Sequence, residues 1–329
     1  MIFAVIGALF FAFVPNFILA LVIYWFDRYE KEPKILLGAA FIWGAIVAAG
    51  GAFILNTVFG VSVFLVTGSE GASNLLSAVV SAPIVEESLK GFAVLLVFLV
   101  FRKEFDSILD GIVYAAVTAL GFAATENFLY IYEKGYLASG WEGFWLLVFV
   151  RVVVVAWQHP FYTSFTGIGL AIARLNRKTW VKIIAPIGGL FVAMSAHAIH
   201  NLSASLGVVL LCLAQSIVDW IGWLAMFGFI LYLVYREKKW LTIYLQEEIQ
   251  LGTITQRQFQ VASSWFGQIG ARFSAVTSGK YGATDKFYQL CGELAHKKRQ
   301  LATLGEERGN SRIIASLRQE LRNLSSRTI

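Results

Sequence analysis

Cysteine is nearly absent. Cys212 and Cys291 are the only two in 329 residues, one in an apolar run and one in the polar C-terminal part. That leaves no disulfide framework and no thiolate metal motif, and each reads as a core thiol. Charge is scarce as well: Asp, Glu, Lys and Arg make up 15% of the chain, where a soluble domain carries about a quarter. The N-terminus lacks a basic leader and a small-residue cleavage site. It is apolar from Ile2, Phe3 and Ala4 onward, so it reads as a first transmembrane helix and not as a removable signal. There is no internal repeat of the kind many transporters carry. No nucleic-acid motif is present, so no nucleic-acid partner is expected.

Apolar surface is what the chain has in excess, with 57% hydrophobic residues and a mean hydropathy of +0.67. The excess lies between residues 2 and 235, in runs that reach or exceed the roughly 20 residues needed to cross a bilayer. Two regions follow: a transmembrane catalytic domain over 1–235 and a cytosolic amphipathic helical tail over 236–329. The expected fold class is all-α, a polytopic transmembrane helical bundle of about seven spans with a C-terminal soluble helical tail. The spans are read as 2–26, 35–59, 74–101, 107–132, 144–173, 182–204 and 208–235. Connections alternate in charge. Arg28, Lys31 and Lys34 mark the first, Arg102 and Lys103 the third, and Arg174, Arg177, Lys178 and Lys182 the fifth; Arg236, Lys238 and Lys239 follow the last span. The second and sixth have no Lys or Arg, and the fourth has only Lys134. The positive-inside rule then puts the N-terminus outside and the C-terminus in the cytosol.

Ionisable groups inside a bilayer are costly and mark cavities or partners. They cluster here: Glu86, Glu87 and Lys90 on the third span, Asp110 and Glu126 on the fourth, Arg151 and His159 on the fifth, His197 and His200 on the sixth, and Asp219 on the seventh. For Arg151 and Asp219 a structural ion pair is the simpler reading. Asp110 reads as a helix cap, and His200 as a hydrogen bond to a neighbouring helix. At about 1.5 Å per residue, Glu86 lies roughly 24 Å from Arg102, His159 roughly 22 Å from Arg174, His197 roughly 22 Å from Lys182 and Glu126 roughly 30 Å from Asp106. All four fall in the outer half of the membrane at one level. Glu86 and Lys90 are i,i+4 and Glu87 and Lys90 are i,i+3, so Lys90 can neutralise one carboxylate and leave the other for chemistry. Pro83 can kink this helix one turn earlier. His197 and Asn201 share a face at i,i+4, and Gly188 and Gly189 allow close packing earlier on that helix. Carboxylates, imidazoles and an amide at one depth suit hydrolysis. A carboxylate can deprotonate water. Imidazole and carboxylate bind a zinc-like ion that lowers the water's pKa. An amide or neutral His can donate to an oxyanion. The same groups would also serve proton transport.

At these residues the sequence resembles the PrsW family of membrane proteases, related to the CAAX-type prenyl endopeptidases. The resemblance covers roughly residues 15–205. It runs through Asp27-Arg28-Tyr29-Glu30-Lys31-Glu32-Pro33, then Ala82-Pro83-Ile84-Val85-Glu86-Glu87-Ser88-Leu89-Lys90 with its Glu-Glu-x-x-Lys pattern. Asp110-Gly111-Ile112-Val113-Tyr114 and Gly121-Phe122-Ala123-Ala124-Thr125-Glu126-Asn127 come next. The segment from His159 to Gly169 and His197-Ala198-Ile199-His200-Asn201 complete it. The resemblance implies regulated intramembrane proteolysis of a membrane-protein substrate such as a single-pass regulator. Carried over residue by residue, it makes Glu86 the base and Glu87 the carboxylate held by Lys90, with the two able to exchange roles. It makes His159, His197 and Glu126 ligands of zinc or a similar divalent metal, or holders of a water, and Asn201 the oxyanion donor. His200 departs from the pattern, which does not require histidine there. A non-catalytic membrane scaffold and an ion-coupled transporter are the competing readings. The expected location is a bacterial cytoplasmic membrane.

The tail carries 15 Lys and Arg against 8 Asp and Glu. Apolar residues recur at helical spacing near 239–251, 255–276, 285–304 and 311–324. Gly252, Gly279 to Gly282 and Gly305 to Gly309 punctuate them. Trp240, Trp265 and Phe266 are expected at the membrane surface, where a basic segment is attracted to anionic lipid. Asp27 and Glu30 to Pro33 are expected to form an ordered turn against the bundle.

Overall fold

The computed structural model describes residues 1–306 and 309–328. The centre of the Gly305 to Gly309 break, residues 307 and 308, lies outside the described residues. The described residues are mostly helical, with no strand among them. They form two compact units: Met1–Trp25 with Glu32–Gly228, and Phe26–Lys31 with Phe229–Ile329.

The first unit contains α1 (Ile2–Phe26), α2 (Lys34–Thr67), α3 (Glu70–Leu76), α4 (Ala82–Val100), α5 (Ile108–Leu129), α6 (Ala138–Phe149), α7 (Gln158–Arg174), α8 (Thr179–Ser205) and most of α9 (Val209–Tyr244). Isoleucine, leucine, valine and phenylalanine cover the outer faces of α1, α2, α8 and α9, as a helix facing acyl chains requires. The protein is an integral membrane helical bundle. Among the described residues, five helical stretches are long and apolar enough to cross: Ile2–Phe26, Lys34–Thr67, Ile108–Arg174, Thr179–Ser205 and Val209–Gln250. Two of the seven expected spans do not appear separately, for physical reasons. The 74–101 segment carries Glu86, Glu87 and Lys90 within α4 and reaches it through a π-helical turn at Ser77–Ser81. The 107–132 and 144–173 segments lie together in the run Ile108–Arg174.

The 144–173 segment is also not one continuous helix. The chain turns at Ser139 and Gly140, whose φ is +64°, and α6 folds back along Tyr130–Leu137. There Gly135 and Gly143 meet so closely that a Cβ on Gly143 would sit 2.5 Å from the Gly135 carbonyl oxygen. The helix stops after Val154 and restarts at Gln158. Pro160 explains the break: it lies in the first turn of α7, and its ring excludes the carbonyl four residues earlier from a helical position. The restart leaves His159 in the first turn of a new helix. α5, α7 and α8 then pack in succession. A Cβ on Gly167 would lie 1.9 Å from the Gly111 carbonyl oxygen, and one on Gly189 would lie 2.3 Å from the Phe165 carbonyl oxygen. Gly188 faces open space instead. At the start of α5, Ser107 and Asp110 form a reciprocal capping box, which accounts for the charge on Asp110.

The second unit is built from the end of α9, α10 (Gln246–Gln250), α11 (Gln256–Ala262), α12 (Trp265–Thr277), α13 (Tyr281–Leu304) and α14 (Asn310–Ser325). The expected 255–276 helix is two helices because Ser264 caps α12, its hydroxyl accepting from the Gly267 N–H. Residues 26–31 belong to this unit. The Gln289 amide bonds both the N–H and the carbonyl of Lys31, at 3.0 and 2.9 Å. His296 pairs with Glu30 at 2.5 Å. Residues 26–31 are thus ordered against tail helices within this unit, whereas Glu32 belongs to the first unit, where its carboxylate accepts from the Tyr114 hydroxyl. Trp240 does not face outward. The guanidinium of Arg299 lies 3.6 Å above its ring centre and the His296 ring meets its edge, so cation–π contact holds it inside the unit.

Glu248 is fully buried and accepts from Arg318 and Lys298, the latter at 2.7 Å. Burial alone would raise its carboxyl, but the Arg318 and Lys298 hydrogen bonds reverse this and its pKa is lowered. A lowered folded value gives stabilisation that is complete above the ordinary carboxylate range and is lost as pH falls through the folded value. Glu248→Gln is expected to cost the second unit about 2 kcal/mol at pH 7, less than a fully buried pair because Arg318 is partly exposed. Hydrogen exchange of α10 and α14 reads this: the gap between variant and native chain narrows as pH falls below the ordinary carboxylate range towards the lowered folded value. A gap that does not narrow at all under acid rules out the ionic contribution.

Candidate active site

Pro83 sits in the first turn of α4, directly after the π-helical turn. One turn on, Glu86, Glu87 and Lys90 are all buried. The Lys90 ammonium lies 2.5 Å from Glu87 Oε1 and 3.9 Å from Glu86 Oε2. It also lies 3.3 Å from His159 Nδ1 and over the Phe122 ring. An ammonium can only donate, so His159 Nδ1 accepts and its Nε2–H donates to Glu126 Oε2 at 2.9 Å. Glu87 is saturated: it takes Lys90 and His197 Nδ1 (3.1 Å) on Oε1 and the Thr163 hydroxyl (2.8 Å) on Oε2. A carboxylate on Nδ1 orients the ring and leaves Nε2 as the basic nitrogen. That nitrogen lies 3.9 Å from Glu86 Oε2.

Glu86 Oε2 is buried and has no hydrogen-bond partner. Together with donor atoms of His159 and His197 it forms a group within 4.8 Å of one another. A buried carboxyl oxygen without a hydrogen-bond partner, close to two imidazoles, is a donor set that suits a zinc-like cation. Glu126 lies beside this group and is tied differently. Its carboxylate is paired with the Arg151 guanidinium, whose Nε also donates to Asn127 Oδ1 at 2.8 Å. Glu126 is the more accessible carboxylate, with 21% of its side chain exposed against 7% for Glu86. Asn201 donates one amide hydrogen to the Ala78 carbonyl at 2.8 Å, across to the π-helical turn. His200 hydrogen-bonds Asp219 at 2.8 Å, which also accepts from Gln158 at 2.9 Å.

These groups line a cavity of about 450 Å³ that includes Glu86, Glu126, Arg151, His159, His197 and Asn201. A second cavity of about 430 Å³, between α2, α3 and α4, shares Asn56, Asn74, Ser77, Glu86 and Glu126 with the first. Volumes of this size fall in the range of ligand-binding cavities, roughly 300–1,000 Å³.

The pattern of the PrsW family intramembrane metalloproteases matches residues 32–234, more than half of the chain. The chain belongs to the PrsW family. Relatives named Protease PrsW include those of Bacillus subtilis (strain 168), 31% identical over 55% of this chain and 76% of that protein, and of Geobacillus kaustophilus (strain HTA426), 35% identical over 49% and 66%. That of Clostridioides difficile (strain 630) is 38% identical over 33% of this chain and 43% of that protein. The chain thus spans 43% and 66% of the lengths of the latter two relatives. No solved structure matches.

The matched PrsW region contains every residue of the cluster. Three of its members were not singled out as site residues from the sequence. Thr163 lies four residues after His159, on the same face of α7, and helical spacing alone would have found it. Tyr162 lies three residues after His159, a spacing that also marks the same face, and it stacks on His197 with ring centres 5.5 Å apart. Arg151 read as a structural ion pair, and it is one, but its partner is the cavity carboxylate Glu126.

Proposed function

We propose that this protein is an intramembrane metalloprotease that hydrolyses peptide bonds in membrane-embedded segments of other proteins, with a single-pass regulator as the substrate class. The observation that carries the reading is the buried group of Glu86, His159 and His197 on the wall of a cavity of about 450 Å³. Family membership supports the same reaction. Glu86, His197 and His159 would hold the ion, His159 giving up its Nε2–H bond to Glu126 to do so because its Nδ1 accepts from Lys90. When bound, a divalent ion such as zinc supplies Lewis acidity and lowers the pKa of an attacking water. This assignment exchanges the roles that the motif comparison gave to Glu86 and Glu126.

The chain's own residues supply the rest. Arg151 pairs with Glu126 in the open part of the cavity, and Glu126 takes the proton as water attacks the scissile carbonyl carbon. The second amide hydrogen of Asn201 is directed to the oxyanion that develops. Collapse of the tetrahedral species breaks the C–N bond, and Glu126 returns the proton to the leaving amine. Glu87, saturated by Lys90, His197 and Thr163, does no proton transfer; it fixes the imidazole of His197. The charge pattern supports seven crossings in a bacterial cytoplasmic membrane, with the N-terminus outside and residues 236–329 as a cytosolic tail.

The test is metal analysis of purified full-length variants beside a cleavage assay. Glu86→Gln and His197→Ala are expected to lose bound metal and activity together, while Glu126→Gln keeps the metal and loses activity. Metal retained by all three variants excludes the proposed ligand set.

A further inference from the structure

α12 is amphipathic in the inverted sense. Its inward face is polar: Gln268 and Arg272 are buried, Arg272 donates to the Gln268 amide oxygen at 2.7 Å and to Asp285 at 2.6 Å. Its outward face carries Phe266, Ile269, Phe273 and Val276, at 84, 36, 74 and 61% exposure. Positions i, i+3, i+7 and i+10 form one stripe, and no charged residue lies on it. Water does not tolerate such a stripe on a helix in a tail with 15 basic and 8 acidic residues without a partner surface.

Two independent observations say what covers it. Trp265, the first residue of α12, packs edge-on against Phe26, with ring centres 6.3 Å apart, and Phe26 is the last residue of α1. The stripe therefore begins where a membrane helix ends. Beside it, Arg28 is 4% exposed and its Nε and Nη2 have no hydrogen-bond acceptor. Its guanidinium lies 5.9 Å from the Trp265 ring centre. Burial, and then the nearby positive charge of Arg272, pushes its pKa down. A buried guanidinium with two unused donors is a site for an anionic oxygen, and a bidentate phosphate contact is the strongest form of that pairing.

We propose that α12 is an interfacial helix that seats Phe266, Ile269, Phe273 and Val276 in the leaflet that α1 leaves, with Arg28 receiving the headgroup phosphate of an anionic phospholipid. Interfacial helices of this kind bury an apolar face at the boundary of headgroups and acyl chains. The inference rests on α1 being a membrane helix and is independent of the proteolytic reading.

The experiment places the photoreactive residue p-benzoylphenylalanine at position 273, or at the exposed control position 316 on α14, in the full-length chain. The protein is reconstituted in nanodiscs of phosphatidylcholine with phosphatidylglycerol, and adducts are identified by mass spectrometry. Lipid adducts at 273 are expected at least about ten-fold above those at 316, with phosphatidylglycerol enriched about five-fold over its share of the bilayer. Arg28→Gln is expected to remove that enrichment while leaving the lipid adducts. Adducts to a second copy of the chain, or lipid adducts no higher than at 316, overturn the seating. Equal use of the two lipids by the native chain overturns the headgroup contact.

Discussion

Replacing Glu86 by Gln is expected to lower the rate of substrate cleavage by at least about 10³-fold, the scale of losing a principal electrostatic or metal-holding group in a hydrolase. The substitution keeps the size of the side chain. It removes the carboxyl oxygen that lies 3.9 Å from His197 Nε2 and has no hydrogen-bond partner of its own. Because no donor depends on that oxygen, folding should not suffer. Thermal unfolding of the detergent-solubilised variant should match the native chain within about 1 kcal/mol. Cleavage of a reconstituted single-pass substrate is the measurement. Activity within ten-fold of native would remove Glu86 from the chemistry. Loss of folding together with activity would make it a structural residue.

Replacing Lys90 by Met should act in the opposite way, through stability first. Lys90 has no exposed side-chain surface and neutralises Glu87, itself fully buried, at 2.5 Å. Removing one member of such a pair leaves an uncompensated charge and typically costs about 3–5 kcal/mol. Only the Thr163 and His197 hydrogen bonds would then remain on Glu87. Replacing both partners by neutral groups of similar shape is far cheaper. Lys90→Met is therefore expected to unfold early in a denaturing detergent titration, and Glu87→Gln combined with Lys90→Met should recover most of that stability. The double variant should stay impaired in cleavage, since His197 loses the anion that orients it. Additive losses in the double variant would show that the two residues do not act as a pair.

Much of this arrangement was legible in advance. Depth arithmetic needs only the rise per residue, and it put Glu86, Glu126, His159 and His197 at one level. The i,i+3 and i,i+4 rules were enough to join Lys90 to the glutamate pair. What spacing could not give was rotation between helices. It did not say which carboxylate oxygen Lys90 would take, or that Arg151 would claim Glu126. Pro160 was visible, but its consequence depends on where the helix around it starts: as an interior residue it would kink one span, whereas in the structure it opens a new helix with His159 in its first turn.

The tail shows the same division. Its helices could be read from periodicity, because burial of an apolar face is a local pattern. The inverted face of α12 could not. A periodic stripe has the same spacing whether it points in or out, and the inward direction was settled by Arg272 finding Asp285 and Gln268 inside the unit. Residues 26–31, which by charge are an ordinary cytosolic connection, joined the tail helices because Gln289 and His296 satisfy their polar groups there.

The amino-acid order by itself determined that this chain is a helical membrane protein with a buried set of carboxylates and imidazoles, because apolar run length and helical spacing are properties of single segments. Only the tertiary structure decided which of those groups is left without a partner and faces a cavity, because that depends on how neighbouring helices are turned and how closely glycines such as Gly111 and Gly167 let them approach.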